Sequence, residues 1–167
     1  MDLDSPVYSH MLRWENTSHL KQFFSKDLKN QTSDLADFTN RYTKTLPDDF
    51  MSWDTLSRAQ YIENKIFLSN YLLSSQGDRM AMANSIEGRY PFLDHRVIEF
   101  AAKLPPHIRM NGMTEKYILK KAAEGLIPSE LINRPKQPYR APISQAFLGV
   151  THHEYVHELL SGKIIHE

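Results

Sequence analysis

Apolar side chains recur along this chain at three- and four-residue steps rather than in strict alternation, a spacing that gathers them on one side of a helix. In residues 5–45, Tyr8, Met11, Leu12 and Trp14 form one set, Leu20, Phe23, Phe24 and Leu28 a second, and Leu35, Phe38 and Tyr42 a third. Polar breaks at Asn16-Thr17-Ser18 and Asn30-Gln31-Thr32-Ser33 separate them, so two or three short helices are predicted. An aromatic stripe of this kind could stack bases or a ligand, but a core-facing stripe is far commoner. After a break at Pro47-Asp48-Asp49, Asp54 is placed to cap a long helix reaching about Ser75. Leu56, Ala59, Ile62, Ile66 and Leu73 make its apolar stripe, with Ser69 or Asn70 at the missing step, and Gly77 marks a helix end or a kink.

Further along, Asp94 can cap a helix carrying Val97, Ile98, Phe100, Ala101 and Leu104, closed by Pro105-Pro106. Asn111-Gly112 makes a turn, and Thr114 is placed to cap a helix that buries Ile118, Leu119 and Ala122 before Gly125 stops it. Residues 128–132 give a short further turn of helix, and the tail 146–167 holds a helix with Tyr155, Val156, Leu159 and Leu160. Valine is scarce and no sheet is evident, so the expected fold class is mainly α.

Composition narrows the function classes. A chain of 167 residues suits one domain with a sizeable core. Twenty Lys and Arg balance twenty Asp and Glu, so no broad field draws in nucleic acid or an anionic membrane. With no cysteine there is no disulfide, thiolate metal site or cysteine nucleophile within these residues. The acidic start Met1-Asp2-Leu3-Asp4 lacks the basic flank and apolar run of a signal peptide, and nowhere do eighteen apolar residues follow one another. A cytoplasmic protein is expected.

Three stretches carry candidate chemistry. In residues 78–94, Asp78, Arg79, Glu87 and Arg89 lead into the apolar turn Tyr90-Pro91-Phe92-Leu93; charges beside such a turn are expected to be partly desolvated and paired, as an ion-pair frame or as part of a site. In residues 133–142, Arg134, Lys136 and Arg140 alternate with Pro135, Pro138 and Pro142, which predicts a stiff extended segment. Such a segment could aim Lys136 at nucleotide phosphates, or offer Pro135-Lys136-Gln137-Pro138 to an SH3-type domain as a non-catalytic helical interaction module. The tail contains His153-Glu154-Tyr155-Val156-His157, formally the motif of a zinc metallopeptidase, with His152 beside it and His166 at no usual third-ligand offset. A surface helix that happens to carry histidines is the commoner meaning. No Gly-x-Gly-x-x-Gly, Walker loop or internal repeat occurs.

Taken in order, Asp78-Arg79-Met80, then Glu87-Gly88-Arg89-Tyr90-Pro91-Phe92-Leu93-Asp94-His95, then Glu115-Lys116-Tyr117-Ile118-Leu119-Lys120-Lys121, then Arg134-Pro135-Lys136, resemble the C-terminal part of the synthetase domain of glutamine-hydrolysing asparagine synthetases of the bacterial class B type. The resemblance implies a helical C-terminal portion of an α/β ATP pyrophosphatase-type (adenine nucleotide alpha hydrolase-like) synthetase domain. Residues 1–167 would form one domain, with a lead-in at 1–50, a signature core at 51–142 and a C-terminal helix at 143–167. It further implies an ATP-dependent ligase that, with magnesium, adenylates the side-chain carboxylate of aspartate and amidates it with glutamine-derived ammonia. Lys136 would stabilise charge in the adenylation transition state. Asp78, Arg79, Glu87 and Arg89 would build the substrate-side wall, by direct contact or by structural support.

The family's nucleophilic cysteine, its Ser-Gly-Gly-x-Asp-Ser loop and its Ser-Gly-Glu-Gly-x-Asp-Glu segment do not occur here. The chain is therefore expected to be a C-terminal fragment that binds no cofactor tightly and is inactive alone. Its partners would be the glutaminase and pyrophosphatase segments, with homo-oligomer formation left open.

Overall fold

The computed structural model describes residues 3–32, 37–137, 142–148 and 154–160, and the chain divides into two units, Met1–Ala122 and Ala123–Glu167. Described residues are mainly helical, and the isolated bridge between Asn111 and Thr114 is the one β-type pairing among them.

In the first unit, α1 (Tyr8–Ser18) runs through the predicted break and continues as a 3-10 turn at His19–Phe23. Thr17 Oγ1 and Ser18 Oγ donate back to the carbonyls of Arg13 and Glu15, at 2.9 and 2.7 Å, so these polar side chains are absorbed by the helix they were expected to end. Ser25 caps α2 (Lys26–Gln31) and Asp37 caps α3 (Phe38–Thr43), each accepting from the backbone N–H three residues on. Asp54 caps α4 (Thr55–Ile62) as its position predicted, with Ser57 N–H donating at 2.9 Å.

The helix then widens into π-type winding over Glu63–Gln76, where Ser69 Oγ and Asn70 Nδ2 both donate to the Lys65 carbonyl. Gly77 separates it from α5 (Asp78–Ala83), an interruption where the sequence placed one. Val7, Phe50 and Ile62 are fully buried, with Trp14, Tyr42, Trp53 and Tyr61 packed around them. The aromatic stripe is thus core-facing at Trp14 and Tyr42, whereas Phe23 and Leu20 are exposed.

Asp94 caps α6 (His95–Ala102), accepting from Arg96 N–H at 2.9 Å, and α7 (Pro106–Arg109) starts at the expected proline pair. Thr114 does not cap the next helix. Its N–H and C=O both pair with Asn111 around Gly112, which sits at φ +56°, and α8 (Tyr117–Ala122) begins later. Nor is the apolar side of α8 buried, for Ile118 and Leu119 are exposed. In the second unit, α9 (Ser129–Asn133) follows Pro128, and α10 (Ile143–Leu148) and α11 (Glu154–Leu160) come after it, with Val156 buried.

Candidate functional site

The signature stretch is built by three local devices. Residue Asp78 opens α5, where its charge faces the positive end of the helix. At the other end, Ile86 N–H donates to the Ala81 carbonyl and Ser85 N–H to that of Met82, with Ser85 left-handed at φ +58°. This is a Schellman closure with serine where glycine is usual. Tyr90 then lays its ring where a side chain on Gly88 would stand, so a larger residue between Glu87 and Arg89 would have to push the exposed tyrosine aside.

Glu87 and Arg89 meet each other, Arg89 Nη2 lying 2.7 Å from Glu87 Oε1. The partial desolvation expected of them is not found: their side chains are 75% and 82% exposed, and Arg79 is exposed as well. Asp78 is half-buried, and the pair does not frame α5 against another element because its members stand two residues apart. The physical reason lies in the apolar turn. Tyr90 and Phe92 are themselves exposed, so nothing among the described residues lowers the dielectric around the charges. A pair so exposed is open to a ligand but is not preorganised by its surroundings.

Lys136 lies in the second unit, after α9, on exposed chain. Arg134, two residues before it, has φ −57° and ψ 128°, and the segment predicted to be extended continues into 138–141, outside the described residues. Pro138 and Arg140 lie outside the described residues, as do His152, His153 and His166. Glu154 and His157 are exposed on α11, and among the described residues no three His, Cys, Asp or Glu side chains are grouped to hold a metal ion.

Two polar clusters escaped the sequence reading. Buried His10 places Nε2 2.9 Å from Glu63 Oε2, and Arg13 reaches the same carboxylate at 3.0 Å. Burial pushes the Glu63 carboxyl up, but the hydrogen bonds from His10 and Arg13 and their charges outweigh it and hold the group below the ordinary value. The second cluster is at Arg109, whose Nη2 lies 2.7 Å from Ser57 Oγ and 3.5 Å from Asp54 Oδ2, and whose Nη1 donates to Gln60 Oε1. Burial opposes the Asp54 charge, yet bonds from Ser57 and the guanidinium of Arg109 keep its carboxyl below the usual range. Only Asp54 had been marked in sequence, as a cap; its remote partner had no local signal.

Between α4 with its π continuation and α6 runs a cleft of about 370 Å³, lined by Leu68, Leu93, Val97, Ile98 and Ala101 and also by Glu63 and Arg109. Phe100, on α6, is exposed beside it, so the apolar side of this helix is only partly covered by the described chain.

Comparison with known proteins draws these features together. The family model described as asparagine synthase matches residues 4–166. The chain is 38% identical over 101 residues to asparagine synthetase [glutamine-hydrolyzing] 1 of Bacillus subtilis (strain 168), covering 60% of this chain and 16% of that protein. It is 31% identical over 132 residues to asparagine synthetase [glutamine-hydrolyzing] 3 of the same organism, covering 75% of this chain and 21% of the relative. Amidase chyE of Penicillium rubens is 34% identical over 96 residues, 54% of this chain and 14% of that protein. The chain thus spans about a fifth or less of the length of each of these relatives. No solved structure matches it. With the family model matching almost from end to end, the chain belongs to the asparagine synthase family.

Proposed function

We propose that this chain supplies the C-terminal part of a synthetase domain in an ATP-dependent, amide-forming ligase, one that adenylates the side-chain carboxylate of aspartate and passes the acyl group to glutamine-derived ammonia. The observation that carries the proposal is the family match over residues 4–166, within which Glu87, Arg89 and Lys136 all stand exposed rather than locked in the core.

Lys136 brings an exposed cation beside Pro135, suited to stabilising charge that develops on phosphate oxygens during adenylation. Arg89 can hold a substrate carboxylate while Glu87 keeps the guanidinium oriented, and Asp78 and Arg79 support the wall from the first turn of α5. ATP would supply the adenylyl group. Magnesium would come with ATP, held by one or two carboxylates and the phosphates; among the described residues no three His, Cys, Asp or Glu side chains are grouped to hold a metal ion.

A site preorganised for this chemistry needs the remaining segments of the domain to cover the exposed turn at Tyr90 and Phe92. The purified chain is therefore expected to release no pyrophosphate from ATP in the presence of aspartate. Addition of a polypeptide carrying the pyrophosphatase loop should restore release, and Lys136→Ala should then lower the rate about 10²–10³-fold, the usual cost of removing one donor to a charged transition state. Aspartate-dependent release by the chain alone, or an undiminished rate in the Lys136 variant, would overturn this assignment.

One relative, amidase chyE, carries a name other than asparagine synthetase, and a second reading starts from that. In that reading the adenylated carboxylate belongs to another metabolite, and the same assay with a panel of carboxylic acids separates the two.

A further inference from the structure

Away from the signature stretch, the start of α1 carries a chain of hydrogen bonds that the synthetase reading does not use. Ser9 Oγ lies 2.9 Å from Nδ1 of His10, and Nε2 of His10 lies 2.9 Å from Oε2 of Glu63. An ionised carboxylate can only accept, so its contact requires a hydrogen on Nε2. In the neutral ring Nδ1 then holds the lone pair, and the Ser9 hydroxyl is the donor to it. Arg13 Nη1 also donates to the Glu63 carboxylate, at 3.2 and 3.0 Å from its two oxygens, the nearer being the Oε2 that His10 contacts.

Surroundings divide the roles. His10 is 6% exposed, with the Trp14 ring centred 5.6 Å from its own, so the imidazole is largely screened from water. Ser9 is exposed. His10 and Arg13, both on α1, fasten that helix to Glu63 on the π-wound stretch, and the bond of Ser9 goes to His10 and not to Glu63. What Ser9 presents is an accessible hydroxyl whose proton is already directed at a base, which in turn is oriented by an acid.

We propose that Ser9 is an activated nucleophile and an acylation site for activated acyl esters, with His10 as its general base and Glu63 as the positioning residue. In the step, Ser9 Oγ bonds to the acyl carbon and its proton passes to His10 Nδ1. The bond from the acyl carbon to the ester oxygen breaks, and the leaving oxygen departs with the electron pair and is protonated from the imidazolium or from water. Glu63 stabilises the imidazolium while it exists. The product is an ester on Ser9, a single acyl transfer that involves no oxidant or cofactor.

The test uses the full chain and p-nitrophenyl acetate, following nitrophenolate release and locating the acetyl group by peptide mass spectrometry. Ser9 is expected to be acetylated about 10²-fold faster than exposed Ser52, whose hydroxyl donates to the Asp49 carbonyl at 2.6 Å instead of to an imidazole. Ser9→Ala should abolish the fast phase without changing the circular dichroism. Because His10 is buried, Glu63→Gln serves as the second variant; with helix content retained, it should slow acetylation of Ser9 about tenfold or more. Acetylation of Ser9 no faster than of Ser52, an acetyl group found on His10 or a lysine instead, or a rate unchanged by Glu63→Gln would each overturn the proposal. None of these results bears on the synthetase reading, which stands or falls on pyrophosphate release.

Discussion

Glu63 shows how a single side chain couples packing to charge. It opens the π-wound stretch directly after buried Ile62, and its carboxylate is held by His10 from 53 residues away and by Arg13 from 50. Its carboxyl lies below the ordinary 4.5 because those bonds outweigh the cost of burial. The unfolded chain therefore binds more protons at Glu63 than the folded chain does at mildly acidic pH, and stability falls as pH falls. The contribution is fully present above about pH 4.5 and is lost as pH descends through the lower folded value. Urea midpoints measured from pH 7 to pH 3 should drop in the wild type and drop less in Glu63→Gln, the difference being modest because the side chain is partly in water. Parallel curves for the two proteins would remove Glu63 from the account. None of this was legible in the sequence, where Glu63 read as one more polar position on a helix. Its partners come from a different helix, and no local spacing announces a contact across fifty residues.

Short elements are joined here by irregular residues, and the two ends of α5 respond to substitution in opposite directions. Gly77 has φ −103° and ψ −106°, and a methyl group on it would lie 2.6 Å from the Leu72 carbonyl oxygen, which is backbone and cannot swing aside. Gly77→Ala should therefore cost about 1–3 kcal/mol, the range for forcing atoms into filled space. At the other end Ser85 occupies the left-handed C-terminal position at φ +58°, where a side chain is strained. Ser85→Gly should stabilise by about 0.5–1 kcal/mol, the relief of strain exceeding the added freedom of the unfolded chain. Denaturant midpoints that shift the same way for both variants would contradict this geometry. Caps of this kind are the part of the fold most readable in advance, because Asp54 and Asp94 act on N–H groups two or three residues away. Thr114 misled for the same reason: its backbone was taken by Asn111 in a turn that competes with the helix start over equally short range.

Across the molecule, burial is concentrated in one place and apolar surface in another. Phe50 is 1% exposed in a core built with Val7 and Ile62, while Phe92 and Phe100, at 67% and 66%, flank the candidate site and the cleft beside α6. Phe92 and Phe100 stand in the apolar sets read from the sequence, and Phe50, the buried one, does not. The sequence could not rank their burial, since burial depends on what faces a residue and not on the residue itself. The site residues share that limit: the family is shown by the match over residues 4–166, but the solvation of Glu87 and Arg89 depends on what faces them, and in this structure both are exposed. Truncation separates the two kinds of phenylalanine. Phe50→Ala should cost about 3–5 kcal/mol, as large core deletions do, whereas the double substitution Phe92→Ser and Phe100→Ser should change the stability of this chain by less than about 0.5 kcal/mol. The double variant should also bind less of a fluorescent dye that reports exposed apolar surface. If the chain has the proposed synthetase role and this face takes part in it, the double variant should give no pyrophosphate release when the polypeptide carrying the pyrophosphatase loop is supplied. A double variant as destabilised as Phe50→Ala would mean that the turn and α6 already belong to the core. Pyrophosphate release equal to that of the wild type would remove this face from the proposed synthetase role.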